Sequence, residues 1–193
     1  GFSPENFDHG YRGAVPAHQA LSQSLNIPAV RMLREYGVGR FHNQLQRIGM
    51  TTLFRNAEDY GLTLVLGGAE GALNELTGIY ARLFASARQA PPYPVAVLQS
   101  SLANREPGKA QPSPVLSPGA AWLTLDALRQ VARPGTARQW RLFSSSQAIA
   151  WKTGTSYGLR DAWAIGSNGR YTVGVSAGNG NGEPAPSLGG AAT

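Results

Sequence analysis

The last third of the sequence changes from helical to strand periodicity, and this change limits the chain to an α+β architecture. Two short apolar runs, at 162–166 and 171–175, flank Asn168-Gly169, the strongest short-range signal for a β-hairpin. A third run predicts a strand over 147–154. We therefore expect a helical part followed by a three-strand antiparallel sheet.

Helices are predicted in the preceding sequence, most clearly over 73–84, where apolar residues recur at three- and four-residue steps. The predicted helices cover about 16–24, 28–36, 39–48, 73–84 and 119–132. We expect 50–71 to be irregular, and the proline-rich stretch 88–118 to be a loop with a short strand at 95–98. The chain then forms one partial domain, 1–193, with a mainly helical part at 15–146, antiparallel strands at 147–178 and a tail at 179–193.

The composition is that of one globular domain. The chain has 193 residues, of which 42% are hydrophobic and 15% charged, so it can bury a sizeable core. It has no cysteine, which excludes a disulfide framework, a thiolate metal site and cysteine catalysis. The three histidines lack any metal-ligand spacing, so we expect no metal site and no cofactor.

The chain is basic, with a net charge of +6. Its arginines are scattered along the sequence, whereas nucleic-acid-binding proteins cluster their charge or carry a recognisable module, so we expect no nucleic-acid binding. No stretch approaches the roughly 18 apolar residues of a transmembrane helix, and the first residues lack a signal-peptide pattern. Membrane attachment is expected only through an anchor outside this sequence.

The segment that carries chemistry is Lys152-Thr153-Gly154-Thr155, which contains one of only two lysines in the chain. At a strand end, the Lys152 ammonium attracts a substrate carboxylate, and the hydroxyls of Thr153 and Thr155 can hydrogen-bond it. Gly154 lets a substrate backbone approach the strand edge. The Thr155 N–H is a candidate oxyanion donor.

A second polar segment, Ser24-Leu25-Asn26, lies at the junction of the first two predicted helices. Ser24 can relay a proton to a leaving group, and the Asn26 amide can hold a substrate carbonyl and orient a base. Taken alone, Ser24 is explained as a helix-end hydroxyl and Asn26 as a helix cap. The pairing of S-x-N with a distant K-T-G is typical of serine acyl-transferases that react with penicillins.

The flanking sequence extends this pairing to a family resemblance. Residues 11–30, around S-x-N, and 151–166, around K-T-G, resemble class A penicillin-binding proteins, and 66–69 with the helix that follows are also family-like. The resemblance covers nearly all of the chain except 88–118. It implies an incomplete serine β-lactamase/penicillin-binding transpeptidase fold, with Ser24, Asn26 and Lys152 as catalytic residues and 153–155 as substrate-binding residues.

By the same resemblance, the intact protein is a bifunctional glycosyltransferase and DD-transpeptidase of cell-wall synthesis. Its partners are peptidoglycan stem peptides and β-lactam antibiotics. It is anchored in the bacterial inner membrane and faces the periplasm. These properties are expectations from the resemblance alone.

One family motif is missing from the sequence. The nucleophile and base of the family lie in S-x-x-K, but Glu106 precedes Lys109 by three positions and Ile149 precedes Lys152 by three. We expect that motif upstream of Gly1, so this polypeptide alone should not form an acyl-enzyme. Its sheet should also need a covering partner, either the missing N-terminal part of the same domain or a second copy.

Two other functions remain open at this point. One is a serine β-lactamase or β-lactam sensor on the same fold, although no residue is assignable as a deacylating base. The other is a non-catalytic module that binds peptidoglycan or a partner protein, which the missing nucleophile and the basic surface permit.

Overall fold

The computed structural model describes residues 4–6, 9–89, 114–133 and 147–185, and within these ranges helices precede a single sheet. The helices are α1 (Ala17–Ser22), α2 (Asn26–Tyr36), α3 (Val38–Arg47), α4 (Ala57–Tyr60), a 3-10 helix (Gly61–Leu66), α5 (Leu73–Arg88) and α6 (Pro118–Arg129). The strands are β1 (Ala150–Thr155), β2 (Asp161–Ser167) and β3 (Thr172–Gly178). The predicted α+β class and the order of its elements are confirmed.

The start of α2 differs from the prediction. The helix begins at Asn26, two residues before the predicted start at Pro28. Proline is tolerated there because the backbone N–H groups of the first helical turn have no intrahelical acceptor. The N–H that Pro28 lacks would therefore not have been bonded within the helix. The junction between α1 and α2 therefore consists of residues 23–25, and Asn26 is the first helical residue.

The expectation that 50–71 is irregular is wrong for its centre. Residues 57–66 form α4 and the 3-10 helix, which ends at Gly67 with a φ of 89°. Both elements are short, and buried Tyr60 and Leu64 hold them against the core. Tertiary packing rather than helical periodicity stabilises such short helices, so the sequence pattern missed them. The predicted strand at 95–98 lies outside the described residues.

The hairpin at Asn168-Gly169 is present, with a longer loop than a two-residue turn. Ser167 pairs with Thr172, so four residues connect β2 to β3. The Asn168 Oδ1 accepts hydrogen bonds from the N–H groups of Arg170 (2.9 Å) and Tyr171 (2.8 Å). This side chain satisfies the loop backbone, and Gly169 supplies the positive φ of 83° that the loop needs.

The sheet has the order β1-β2-β3, all antiparallel, and its two faces differ. Side chains alternate along a strand, so Ala150, Ile165 and Gly174 face the helices. Ala150 and Ile165 are buried there, and the Gly174 backbone lies against α5. We call this the inner face.

The outer face is apolar and exposed. It carries Trp151 and Val173, and Val173 is 60% exposed. Tyr171, beside β3, is 65% exposed. A shallow groove of about 400 Å³ runs across this face. Monomeric proteins seldom expose a contiguous apolar sheet face, so this surface is suited to a covering partner.

Helix α6 connects the helical part to the sheet. It packs against α1 on one side and against β1 on the other, while α5 packs against α6, β2 and β3. Ala121, Leu125 and Leu128 of α6 are almost completely buried. No helix in the described ranges is long and apolar enough to cross a membrane.

Replacement of Gly174 by alanine should destabilise the protein by about 1 to 3 kcal/mol through overpacking. A Cβ at Gly174 would overlap the Thr77 Oγ1 and lie 3.1 Å from the Leu73 Cδ1. Thr77 cannot move aside at low cost, because its hydroxyl donates to the Leu73 carbonyl at 2.6 Å. Chemical denaturation of the intact protein measures the change.

Gly154→Ala is the matched control. It is also a glycine-to-alanine change in the sheet, but a Cβ at Gly154 meets no atom within 4 Å. Its unfolding free energy should stay within about 0.5 kcal/mol of the unsubstituted protein. Equal losses for the two variants would contradict the described packing of β3 on α5.

Candidate active site

One cleft is lined by one residue of each polar segment, Ser24 and Thr153, whereas Lys152, Gly154 and Thr155 do not line it. Its volume is about 600 Å³. Ser24 lies on one side of the cleft, Thr153 of β1 lies on the other, and residues 130–132 at the end of α6 line it between them. The remaining lining residues belong to α1 and the junction after it: Gln19, Ser22 and Gln23.

Ser24 has an unusual backbone conformation at the end of α1. Its φ is +56°, in the left-handed region that favours glycine. The Ser24 N–H donates to Leu21 O at 3.2 Å and the Leu25 N–H donates to Ala20 O at 2.9 Å, the two bonds of a Schellman C-cap. Leu25 and Ala20 are both buried, as that motif requires. Ser24 thus occupies the position where helices usually carry glycine.

Asn26 lies two residues further on, with a half-buried side chain. Its Nδ2 donates to the backbone carbonyl of Glu5 at 2.9 Å, so the amide is oriented by the N-terminal loop. Asn26 does not line the described cleft. The fold therefore fixes one end of this amide, and its Oδ1 remains an acceptor for a base or a substrate N–H.

Lys152 is on the inner face of β1, where its side chain is partly buried. Its Nζ donates to the Thr153 carbonyl at 2.8 Å. Within the described residues no carboxylate forms an ion pair with it. Burial lowers the pKa of Lys152 from its ordinary value. A desolvated ammonium without an acidic partner is suited to receive an anionic group from outside.

The other residues of the K-T-G-T segment follow along the same strand. Thr153 faces the cleft, and Thr155 is an exposed residue at the end of β1. Gly154 is exposed, its φ is not positive, and a Cβ there would meet open space. The protein's own packing therefore gives no reason for a glycine at 154, whereas close approach of a ligand to the strand edge does.

The cleft lining has no charged side chain, and apart from Val131 and Ala132 its residues are polar. Amides come from Gln19, Gln23 and Gln130, and hydroxyls come from Ser22, Ser24 and Thr153. Such groups donate to and accept from a peptide backbone equally well. Among the described residues, no three histidine or carboxylate side chains converge as a metal site would require.

Several of these residues were not predicted from the sequence. Gln19, Ser22 and Gln23 follow i, i+3, i+4 spacing, which places them on one side of α1 and could have indicated a polar face. Gln130 carried no local signal, because only the packing of α6 against β1 brings it to the cleft. Arg12, which donates to Gln23 Oε1, was likewise invisible in the pattern.

The sequence is similar to several penicillin-binding proteins. It is 36% identical over 183 residues to penicillin-binding protein 1C of Escherichia coli K12, covering 95% of this chain and 22% of that protein. It is 31% identical over 187 residues to penicillin-binding protein 1B of Vibrio cholerae, covering 95% of this chain and 23% of that one. The chain thus spans less than a quarter of the length of these relatives. No protein-family model matches the sequence.

Solved structures agree with these relatives. Penicillin-binding protein 1A from Haemophilus influenzae has a TM-score of 0.68 at 20% identity, covering 98% of this chain and 34% of that one. The D,D-transpeptidase domain of a peptidoglycan glycosyltransferase from Eggerthella lenta has a TM-score of 0.62 at 18% identity, covering 89% of this chain and 50% of that one. The homologues of this chain are class A penicillin-binding proteins, and its fold is that of part of their transpeptidase domain.

Proposed function

We propose that this chain is part of a peptidoglycan DD-transpeptidase, within a bifunctional glycosyltransferase/transpeptidase of cell-wall synthesis. The observation that carries the proposal is the shared cleft, which Ser24 of S-x-N and Thr153 of K-T-G line from opposite sides. The substrates are the stem peptides of peptidoglycan, and β-lactams react at the same site. The intact protein is attached to the inner membrane and faces the periplasm.

The reaction is acyl transfer to a serine. The hydroxyl of an S-x-x-K serine, supplied by a segment of the longer protein, attacks a carbonyl of the donor peptide and forms an ester while the C–N bond breaks. Ser24 passes the proton to the leaving amine. Ser24 is suited to this proton transfer because it lines the cleft and because its hydroxyl makes no hydrogen bond within the described residues. Asn26 orients the base and the donor peptide.

The K-T-G-T segment binds the donor. Lys152 supplies positive charge beside the cleft, and Thr153 and Thr155 hydrogen-bond the carboxylate of the donor peptide or of a penicillin. The bare backbone at Gly154 lets the donor lie along β1. The Thr155 N–H then stabilises the oxyanion of the tetrahedral intermediate.

The rest of the transpeptidase domain is the partner that covers the outer face of the sheet. The chain corresponds to 50% of the Eggerthella lenta transpeptidase domain, so about half of such a domain lies outside it. That half would bring the nucleophile to the cleft and bury Trp151 and Val173. An upstream sequence without S-x-x-K would contradict this and would favour a non-catalytic module.

The intact protein should be acylated by a fluorescent penicillin, and Lys152→Ala should reduce the acylation rate by roughly 100-fold or more. The loss is expected because the variant lacks the cation that faces the penicillin carboxylate. Time-resolved labelling followed by gel fluorescence measures both rates. Unchanged labelling of the variant would remove Lys152 from the mechanism, and rapid loss of label from the unsubstituted protein would identify a β-lactamase instead.

A pH series gives a second readout of the same residue. Because burial lowers the pKa of Lys152, its positive charge is lost as the pH rises through a value below the ordinary 10.5. Acylation of the unsubstituted protein should therefore fall on the alkaline side. Lys152→Ala should lack that alkaline limb, provided that circular dichroism shows both proteins folded.

Ser24→Gly should keep or raise stability while it greatly reduces acylation. Glycine relieves the left-handed conformation at residue 24, which costs a non-glycine residue about 1 kcal/mol. The substitution also deletes the hydroxyl that relays the proton. Thermal unfolding and penicillin labelling of the intact protein measure the two effects separately.

Gln89→Gly is its matched control. Gln89 also has a left-handed conformation at a helix end, with a φ of 52°, and is not part of the cleft. The Gln89→Gly variant should gain about as much stability as Ser24→Gly and keep the labelling rate of the unsubstituted protein. If Ser24→Gly labels as fast as Gln89→Gly, then Ser24 has only a structural role at the end of α1 and no role in the reaction.

A further inference from the structure

The loop before α1 is bound to the residues on both sides of Ser24. Arg12 donates to Gln23 Oε1, on the N-terminal side of Ser24. On the C-terminal side, the Asn26 Nδ2 donates to Glu5 O. The loop before α1 thus holds the junction that carries Ser24 from both sides. The C-cap bonds of α1 hold the same junction from within the helix.

Asn6 makes the most buried of these contacts, with only 5% of its surface exposed. Its Oδ1 accepts from the Ile27 N–H at 3.2 Å, and its Nδ2 donates to Gly10 O at 2.7 Å. Asn6 is one of three buried polar side chains in the described ranges, with His42 and Ser167. Both ends of its amide are satisfied, as burial of such a group requires.

The start of α2 needs this contact. The N-cap residue Leu25 has no side chain that can accept a hydrogen bond, and no side-chain cap is formed locally. The Ile27 N–H belongs to the first helical turn, where backbone donors have no intrahelical partner. Asn6 therefore acts as the cap of α2 from 21 residues away along the chain.

We propose that Asn6 is a positioning residue for the transpeptidase reaction: it fixes the first turn of α2 and thereby the geometry of Ser24 at the cleft and of Asn26, two residues further along the chain. This inference rests on the proposed function of those two residues. Asn6 does not line the cleft and so acts only through the backbone it holds. A displacement near 1 Å in a catalytic group is enough to slow a reaction by roughly 100-fold.

The test compares Asn6→Ala and Asn6→Asp in the intact protein, with the rate of fluorescent-penicillin acylation and the labelled fraction at completion recorded separately. Asn6→Ala should slow acylation roughly 10- to 100-fold, while the folded protein still labels to completion. Asn6→Asp should recover part of the rate, because a carboxylate still accepts from the Ile27 N–H at the positive end of α2.

Glu75→Ala is the matched control. Glu75 also accepts a backbone N–H across a loop, that of Thr51 at 3.1 Å, and it has no contact with the S-x-N junction among its described bonds. The Glu75→Ala substitution should lower the unfolding temperature but leave the acylation rate unchanged. Measurements are made well below the unfolding temperature of every variant.

The outcomes separate this inference from the proposed function. If the unsubstituted protein is labelled and Asn6→Ala labels at the same rate, the positioning role is wrong and the transpeptidase assignment stands. A loss confined to the labelled fraction, with an unchanged rate, would also overturn it, because it indicates misfolding only. If the unsubstituted protein is not labelled, the proposed function fails before the variants are compared.

Discussion

The contact of α6 with both α1 and β1 determines the architecture around the cleft. Ala121, Leu125 and Leu128 bury one side of α6 in the core. The Trp151 Nε1 donates to Val131 O at 3.3 Å and ties the end of α6 to β1. Because the same helix contacts both neighbours, Ser24 and Thr153 face one space although they belong to opposite ends of the sequence. Loss of this packing would separate the two polar segments.

Three local features at this cleft conflict with what the fold alone would favour. Ser24 has a backbone conformation suited to glycine, Lys152 is a partly buried cation without an acidic partner among the described residues, and Gly154 is a strand glycine that no neighbour requires. Each conflict lowers stability by a small amount. Proteins tend to keep such conflicts where function needs them, and here all three lie in the segments that border the cleft.

The sequence patterns predicted the elements whose stability is local or periodic. Strand alternation around Asn168-Gly169 predicted the hairpin, and the 3.6-residue period predicted α5. The first turn of α2 was missed because its cap comes from Asn6, a contact that no local pattern contains. The 3-10 helix was missed because buried Leu64 stabilises it through tertiary packing.

The candidate site also contains residues that local motifs predicted and residues that only tertiary packing brings to the cleft. Ser24 and Thr153 were predicted from short motifs, and the structure brings them to one cleft. The glutamines that line the cleft were not predicted, since Gln130 reaches it only through the docking of α6. The catalytic roles assigned to Ser24, Asn26 and Lys152 and the substrate-binding roles of 153–155 stay predictions.

The most direct test of the shared cleft is cross-linking of its two sides. This chain has no cysteine, so only cysteines elsewhere in the intact protein need replacement before Gln19→Cys and Thr153→Cys are introduced, with each single variant as background. A short thiol-reactive linker should join this pair rapidly. The pair Gln19→Cys and Val173→Cys should react slowly, because β3 lies two strands from β1, about 10 Å across the sheet. Equal rates for the two pairs would contradict a cleft between α1 and β1.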